Sequence, residues 1–215
     1  MSSAALPSRS PPPSLAAELL ELLRRPTRTY PLLFERGRSG AVLVFSAVSG
    51  IYVAYVTAQG FGLGDRIGFA GAALAVLLVG AVWGLVALYF AGGLLSWSAE
   101  TLRGDTETER MYAVFGYATW PFLPLLAVIV PLEFAAYDTT LFAEERPEAS
   151  ALLVWGVNAL ELATIGLWLL LMVKGTALAA RLSQVAAAET VVLSLVEMSV
   201  IAVLLLVILV VSFMI

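Results

Sequence analysis

Five stretches of this chain, at about 40–59, 67–97, 112–136, 150–173 and 190–215, are long and apolar enough to cross a bilayer as helices. A hydrocarbon core about 30 Å thick takes about 20 residues of helix, and backbone facing lipid has to satisfy its own hydrogen bonds. That leaves one fold class, an all-α polytopic membrane helix bundle with five transmembrane helices. Composition agrees, since 60% of the 215 residues are hydrophobic and only 13% charged, about half the charge that coats a soluble domain. The second block is longer than a span needs and is expected to tilt, or to carry its Gly92-Gly93 end into the interface.

The flanks suggest how the bundle is oriented. Residues 1–13 are rich in Ser and Pro, have no apolar core of the kind a cleaved signal needs, and read as a disordered tail. Residues 14–39 read as an amphipathic helix followed by an Arg-rich arm, and 40–215 as the five-span domain. In the helix, Leu15, Leu19, Leu22 and Leu23 share a face, Ser14 is placed to cap it and Pro26 to end it. Lipid headgroups and the protein's own loops are both suitable partners for that face. Ten of the twelve basic residues fall in residues 1–39 and in the 98–111 and 174–189 segments, leaving Arg66 and Arg146 opposite. By the positive-inside rule the N-terminus is cytoplasmic and the C-terminus external or luminal.

The inventory removes whole classes of chemistry. The chain has no Cys and no His, so thiolate nucleophiles, Ser-His-Asp triads and His-ligated metals are excluded. A net charge of −4 argues against a nucleic-acid partner. No cofactor is implied. The acidic loop at 137–149 and the Asp105-x-Glu107-x-Glu109 run lack the spacing and the Gly of a calcium loop.

What remains is a short set of polar and small residues. Arg28, Arg36 and Arg38 precede the first span and suit an anionic leaflet or a protein partner. Ser46 and Gly50 in the first span, with Gly80 and Gly84 in the second, form small-xxx-small pairs that let helix backbones approach. Packing within one protomer is the first expectation and a homodimer face the second. Pro121, Pro124 and Pro131 are expected to kink the third span, with Thr119 or Tyr117 among the groups that satisfy freed carbonyls. Glu161 lies near the centre of the fourth span, with Asn158 and Thr164 on its face, and Glu197 lies two turns into the fifth. A charged carboxylate at helix centre costs about 2.5–3.5 kcal/mol on insertion scales. Asn158, Glu161, Thr164 and Glu197 are therefore a candidate intramembrane site, read either as a proton or cation site or as interhelical hydrogen bonds that fix packing.

Phe115-Gly116-Tyr117-Ala118-Thr119-Trp120-Pro121 resembles the Gly-Tyr-then-Pro element that opens the third span in the Yip family of five-span membrane proteins. Arg103-Gly104-Asp105 is similar to the polar Gly-containing loop before that span. Arg25-Pro26 followed by Tyr30 is similar to the family's lead-in segment. The resemblance covers roughly residues 20–215. The Asp-Leu-Tyr-Gly-Pro element of the eukaryotic members, which bind prenylated Rab-type GTPases, is absent, so the prokaryotic-type branch is implied. So too is a prokaryotic plasma membrane, with a eukaryotic secretory-pathway membrane as the alternative. The family pattern supplies no catalytic residues.

Three functional readings follow. The first is a non-enzymatic Yip-like protein that organises partner proteins, lipid or further copies of itself. The second is a transporter or channel component that moves protons, cations or a small solute using Glu161 and Glu197. The third, an enzyme, ranks last because no paired acid–base motif marks a site. A water-accessible cavity reaching Glu161 favours transport, whereas a dry interior favours the organiser.

Overall fold

The computed structural model describes residues 14–35 and 39–214, with side-chain surroundings through 201 and at 203 and 204. The 1–13 tail and the Arg36 and Arg38 positions lie outside the described residues. The secondary structure is helical: α1 (Leu15–Arg24), α2 (Pro26–Phe34), α3 (Gly40–Gly60), α4 (Leu63–Thr101), α5 (Thr108–Ala118), α6 (Phe122–Tyr137), α7 (Ala151–Ala179) and α8 (Gln184–Met214). Among the described residues five segments are long and apolar enough to cross a membrane, with α5 and α6 together forming the third. The chain is an integral membrane helix bundle.

The arm is more structured than its sequence suggested. Ser14 caps α1, its side chain accepting from the Ala17 N–H at 3.4 Å. Pro26 ends α1 as expected but also begins α2, taking a first-turn position where its missing N–H goes unneeded. Leu19 and Leu22 of α1 and Tyr30 and Leu33 of α2 are buried in the same core as α5 and α7, so this face rests on protein. Tyr30 is 0% exposed and its phenol donates to the Leu171 carbonyl at 3.0 Å. Gly175 makes room for it, because a methyl there would come within 2.8 Å of both the Tyr30 ring and Val114. Burial pushes the Tyr30 phenol above its usual range.

Helices α3 and α4 meet along the small residues, within one protomer. A methyl on Gly84 would lie 2.0 Å from the Ser46 carbonyl oxygen, and one on Gly50 would lie 2.2 Å from the Gly80 carbonyl oxygen. The contact is backbone against backbone, held by dispersion rather than by large side chains. Helix α4 runs past its expected limits at both ends and bends at Gly68, whose φ of 73° only glycine adopts at little cost. Its Gly92 end stays packed, with the Tyr112 ring lying against Gly92.

The third span is a correction. It is not a kinked continuous helix over 112–136 but two helices separated at 119–121. Pro121 has no N–H to offer the Tyr117 carbonyl, and Thr119 turns its hydroxyl back onto the Gly116 carbonyl at 2.8 Å, so the α-helical ladder gives way there to tighter turns, with the Phe122 N–H on the Thr119 carbonyl and the Leu123 N–H on the Trp120 carbonyl. The two halves pack differently. Every residue of α5 from Ala113 to Ala118 is buried, whereas α6 buries only Phe122, Leu125 and Ile129.

The connections are shorter than the sequence implied. Lys174 lies inside α7, and the expected 98–111 and 174–189 loops contract to 102–107 and 180–183. Those two turns are joined: the Asp105 N–H donates to the Ala180 carbonyl at 3.1 Å and Arg181 pairs with Asp105 at 2.9 Å. At the other end, the Gly64 N–H donates to the Phe142 carbonyl at 2.7 Å and the Glu144 N–H to Asp65 Oδ2 at 2.7 Å. Basic residues thus gather at one end of the bundle, and the acidic 138–148 loop closes the other.

Candidate functional site: a polar well between three helices

On α3 the residues Tyr52, Tyr55 and Gln59 fall three and four apart and so share one face. All three donate to carboxylates on neighbouring helices. The Tyr52 hydroxyl donates to Glu161 Oε1 of α7 at 3.2 Å. On α6, Glu133 receives on Oε2 both the Tyr55 hydroxyl and the Gln59 amide, the latter at 2.9 Å. The insertion cost of each acidic side chain is offset by these interhelical hydrogen bonds, each worth about 0.6–1.7 kcal/mol in membranes.

Gln59, Glu133 and Glu161 line a cavity of about 340 Å³. Its walls are Val56, Gln59, Glu133, Tyr137, Leu153, Val154, Val157, Asn158 and Glu161, with Arg146 and Pro147 of the acidic-side loop at its mouth. Polar atoms dominate the lining. The Arg146 guanidinium lies 5.4 Å from the centroid of the Tyr137 ring, a cation–π arrangement. Leu141 and Phe142 fix the mouth from beneath by packing into the second core cluster, with Phe142 edge-on to Tyr55 at 5.7 Å between centroids.

Aromatic rings pack beside the Tyr52–Glu161 bond. Tyr52 and Phe122 lie 4.9 Å apart between centroids, and Phe122 and Trp168 6.4 Å apart. Phe122 is the first residue after the break in the third span. Phe45, Val114, Tyr117 and Leu171 are buried in the main core. The Tyr117 hydroxyl shares a hydrogen bond with Ser39 Oγ at 2.8 Å, tying α5 to the start of α3.

The structure divides the candidate residues into two places. Asn158 and Glu161 line the well, while Thr164 donates its hydroxyl to the Leu160 carbonyl of its own helix at 2.9 Å. Glu197 is elsewhere: Ser98 of α4 donates to Glu197 Oε2 at 2.9 Å. Ser194 shares its hydroxyl proton between Ser98 Oγ at 3.0 Å and the Thr190 carbonyl at 2.8 Å. Ser98 and Ser194 are both buried. This clasp joins α4 to α8.

Sequence reasoning passed over Glu133, Tyr52, Tyr55, Gln59 and Arg146. A signal was present, because Glu133 is the only acid between Met111 and Tyr137 and the α3 donors repeat at helical spacing. What the sequence lacked was the pairing of α3 with α6. Among the described residues no group of three or more His, Cys, Asp or Glu could hold a metal ion. Comparison of the chain with protein-family models, curated proteins and solved structures finds no match.

Proposed function

We propose that this chain is a solute-handling membrane protein, a transporter or channel component, whose well takes a positively charged group at Glu133 and Glu161. The observation that carries the reading is the polar cavity running from the acidic-side loop to Glu161. Carboxylates placed in a water-accessible pocket of a bundle are the usual mark of a proton or cation path. The break in the third span resembles the discontinuous helices that build transporter sites. In this reading the Gly116–Pro121 element, whose pattern resembles that of the Yip family, supplies the break in the third span. With the arginine-rich arm in the cytoplasm of a prokaryotic cell, the well faces outward. The clasp at Glu197 takes no part in transport and holds the bundle together.

Reconstitution into liposomes tests this. Proton flux read by an enclosed pH dye, and uptake of ethylammonium, are measured for the parent chain and for Glu133→Gln, Glu161→Gln and Glu197→Gln. The expected result is flux that falls at least about tenfold with the first two and stays near the parent level with the third. Equal flux in all four proteins, or none in the parent, would remove the reading.

A further inference from the structure

The lining of the well carries both signs of charge, and the two signs do not meet. Arg146 shares the cavity with Glu133 and Glu161, yet among the described residues its guanidinium forms no ion pair; it rests on the Tyr137 ring instead. Both donors to Glu133 reach Oε2, and the donor to Glu161 reaches Oε1. Glu133 Oε1 and Glu161 Oε2 therefore have no donor among the described residues. Opposite charges that face one gap without closing it are an incomplete set.

The size of the gap narrows what completes it. At about 340 Å³ it lies at the lower end of the roughly 300–1,000 Å³ found for small-molecule sites. A bare ion needs far less, and liquid water takes only about 30 Å³ per molecule. The deep groups are anionic and the group at the mouth is cationic. Between them Val56, Leu153 and Val157 offer apolar wall, enough to cover a short run of methylenes.

We infer that the ligand of the well is a small zwitterion, its ammonium group against Glu133 and Glu161 and its carboxylate against Arg146. The inference rests on the solute-handling reading above and names the substrate class for it. An ammonium donates to the two carboxylate oxygens that lack donors. A carboxylate matches the planar fork of arginine, which binds it through two parallel hydrogen bonds.

The test uses the protein in lipid nanodiscs and three probes of equal carbon number: β-alanine carries both charges, n-propylamine the positive one and propionate the negative one. Calorimetric titration of the parent chain is expected to give β-alanine at least a tenfold tighter Kd than either other probe. Arg146→Gln is expected to reduce β-alanine to the level of propylamine, and Glu161→Gln to weaken binding of both amines by about tenfold or more. Arg146 is exposed and Glu161→Gln keeps the side-chain shape; matching melting temperatures verify that both variants fold. Equal affinities for β-alanine and propylamine, unchanged by Arg146→Gln but weakened by Glu161→Gln, would overturn the zwitterion while leaving the positive-group reading intact. Failure of all three probes to bind the parent would overturn both.

Discussion

Glu161 and Glu197 are the same residue on sequential helices, yet their surroundings differ. Glu161 lies in an open well, with one oxygen bonded to Tyr52, a second carboxylate nearby and a polar cavity leading to it. Glu197 bonds to Ser98, which bonds to Ser194, on two helices packed at that level. The difference comes from what the neighbouring helix presents. Helix α3 offers long donors, Tyr52, Tyr55 and Gln59, which hold the carboxylates away from its axis and leave space. Helix α4 offers a serine, so α8 closes on it. The two acids thus differ in the reach of the donors that meet them.

The most disruptive test of this contrast removes the contact on which both regions depend. Helix α3 carries the donors of the well and α4 the serine of the clasp, and Ser46, Gly50, Gly80 and Gly84 join them. Gly84→Leu is expected to abolish the folded bundle in mild detergent, read as loss of the monodisperse peak on size exclusion. The effect should exceed the about 1–3 kcal/mol of ordinary overpacking because the obstacle is the Ser46 backbone, which cannot rotate away. A normal elution profile would show that the two helices are not in close contact.

Next in size is the loss of binding at the well. Glu161→Gln should weaken amine binding by about tenfold or more, about 1.4 kcal/mol, with melting nearly unchanged, because the amide keeps a contact to Tyr52. Glu197→Gln should do neither. A drop in melting temperature with Glu161→Gln larger than with Glu197→Gln would reverse the assignment of roles. Ser98→Ala cuts the clasp alone and is expected to cost about 0.6–1.7 kcal/mol, the range for interhelical hydrogen bonds in membranes, with amine affinity unaltered.

The arm gives the smallest effect. The Tyr30 phenol is held neutral by burial against Leu171, so its folded-state pKa exceeds the value of about 10 in the unfolded chain. Its contribution to docking is full below pH 10 and declines as the pH rises beyond that value. Proteolysis at Arg24 and Arg25 should therefore be slow and independent of pH from 6 to 9. Tyr30→Phe should raise the rate modestly, by the loss of about 1 kcal/mol of hydrogen bonding.

The number of spans and their approximate positions were legible because hydropathy alone sets them, and the α3–α4 contact was legible because Ser46, Gly50, Gly80 and Gly84 fall at contact spacing. The arm's cap and stop at Ser14 and Pro26 were equally plain. The break at 119–121 was only half legible: the prolines were visible, but whether a helix kinks or parts depends on what holds each side, and α5 is gripped by α2, α3, α4 and α7 while α6 packs more lightly, on α3 and α7. The well was the least legible. Its carboxylates come from the third and fourth spans and its donors from the first, and one sequence carries no record of which helices adjoin. Grouping Glu161 with Glu197 failed for that reason, since similar depth is not proximity.

The contrast between an open well and a closed clasp is tested most directly by thiol accessibility, for which the chain is already suited because it has no cysteine. Asn158→Cys and Ser194→Cys would each be placed in oriented vesicles and exposed to a membrane-impermeant maleimide from one side and then the other. The account predicts rapid labelling of Asn158→Cys from the side opposite the arginine-rich arm only, and none of Ser194→Cys from either side. Equal protection of the two positions, or labelling of Asn158→Cys from the arm's side, would contradict it.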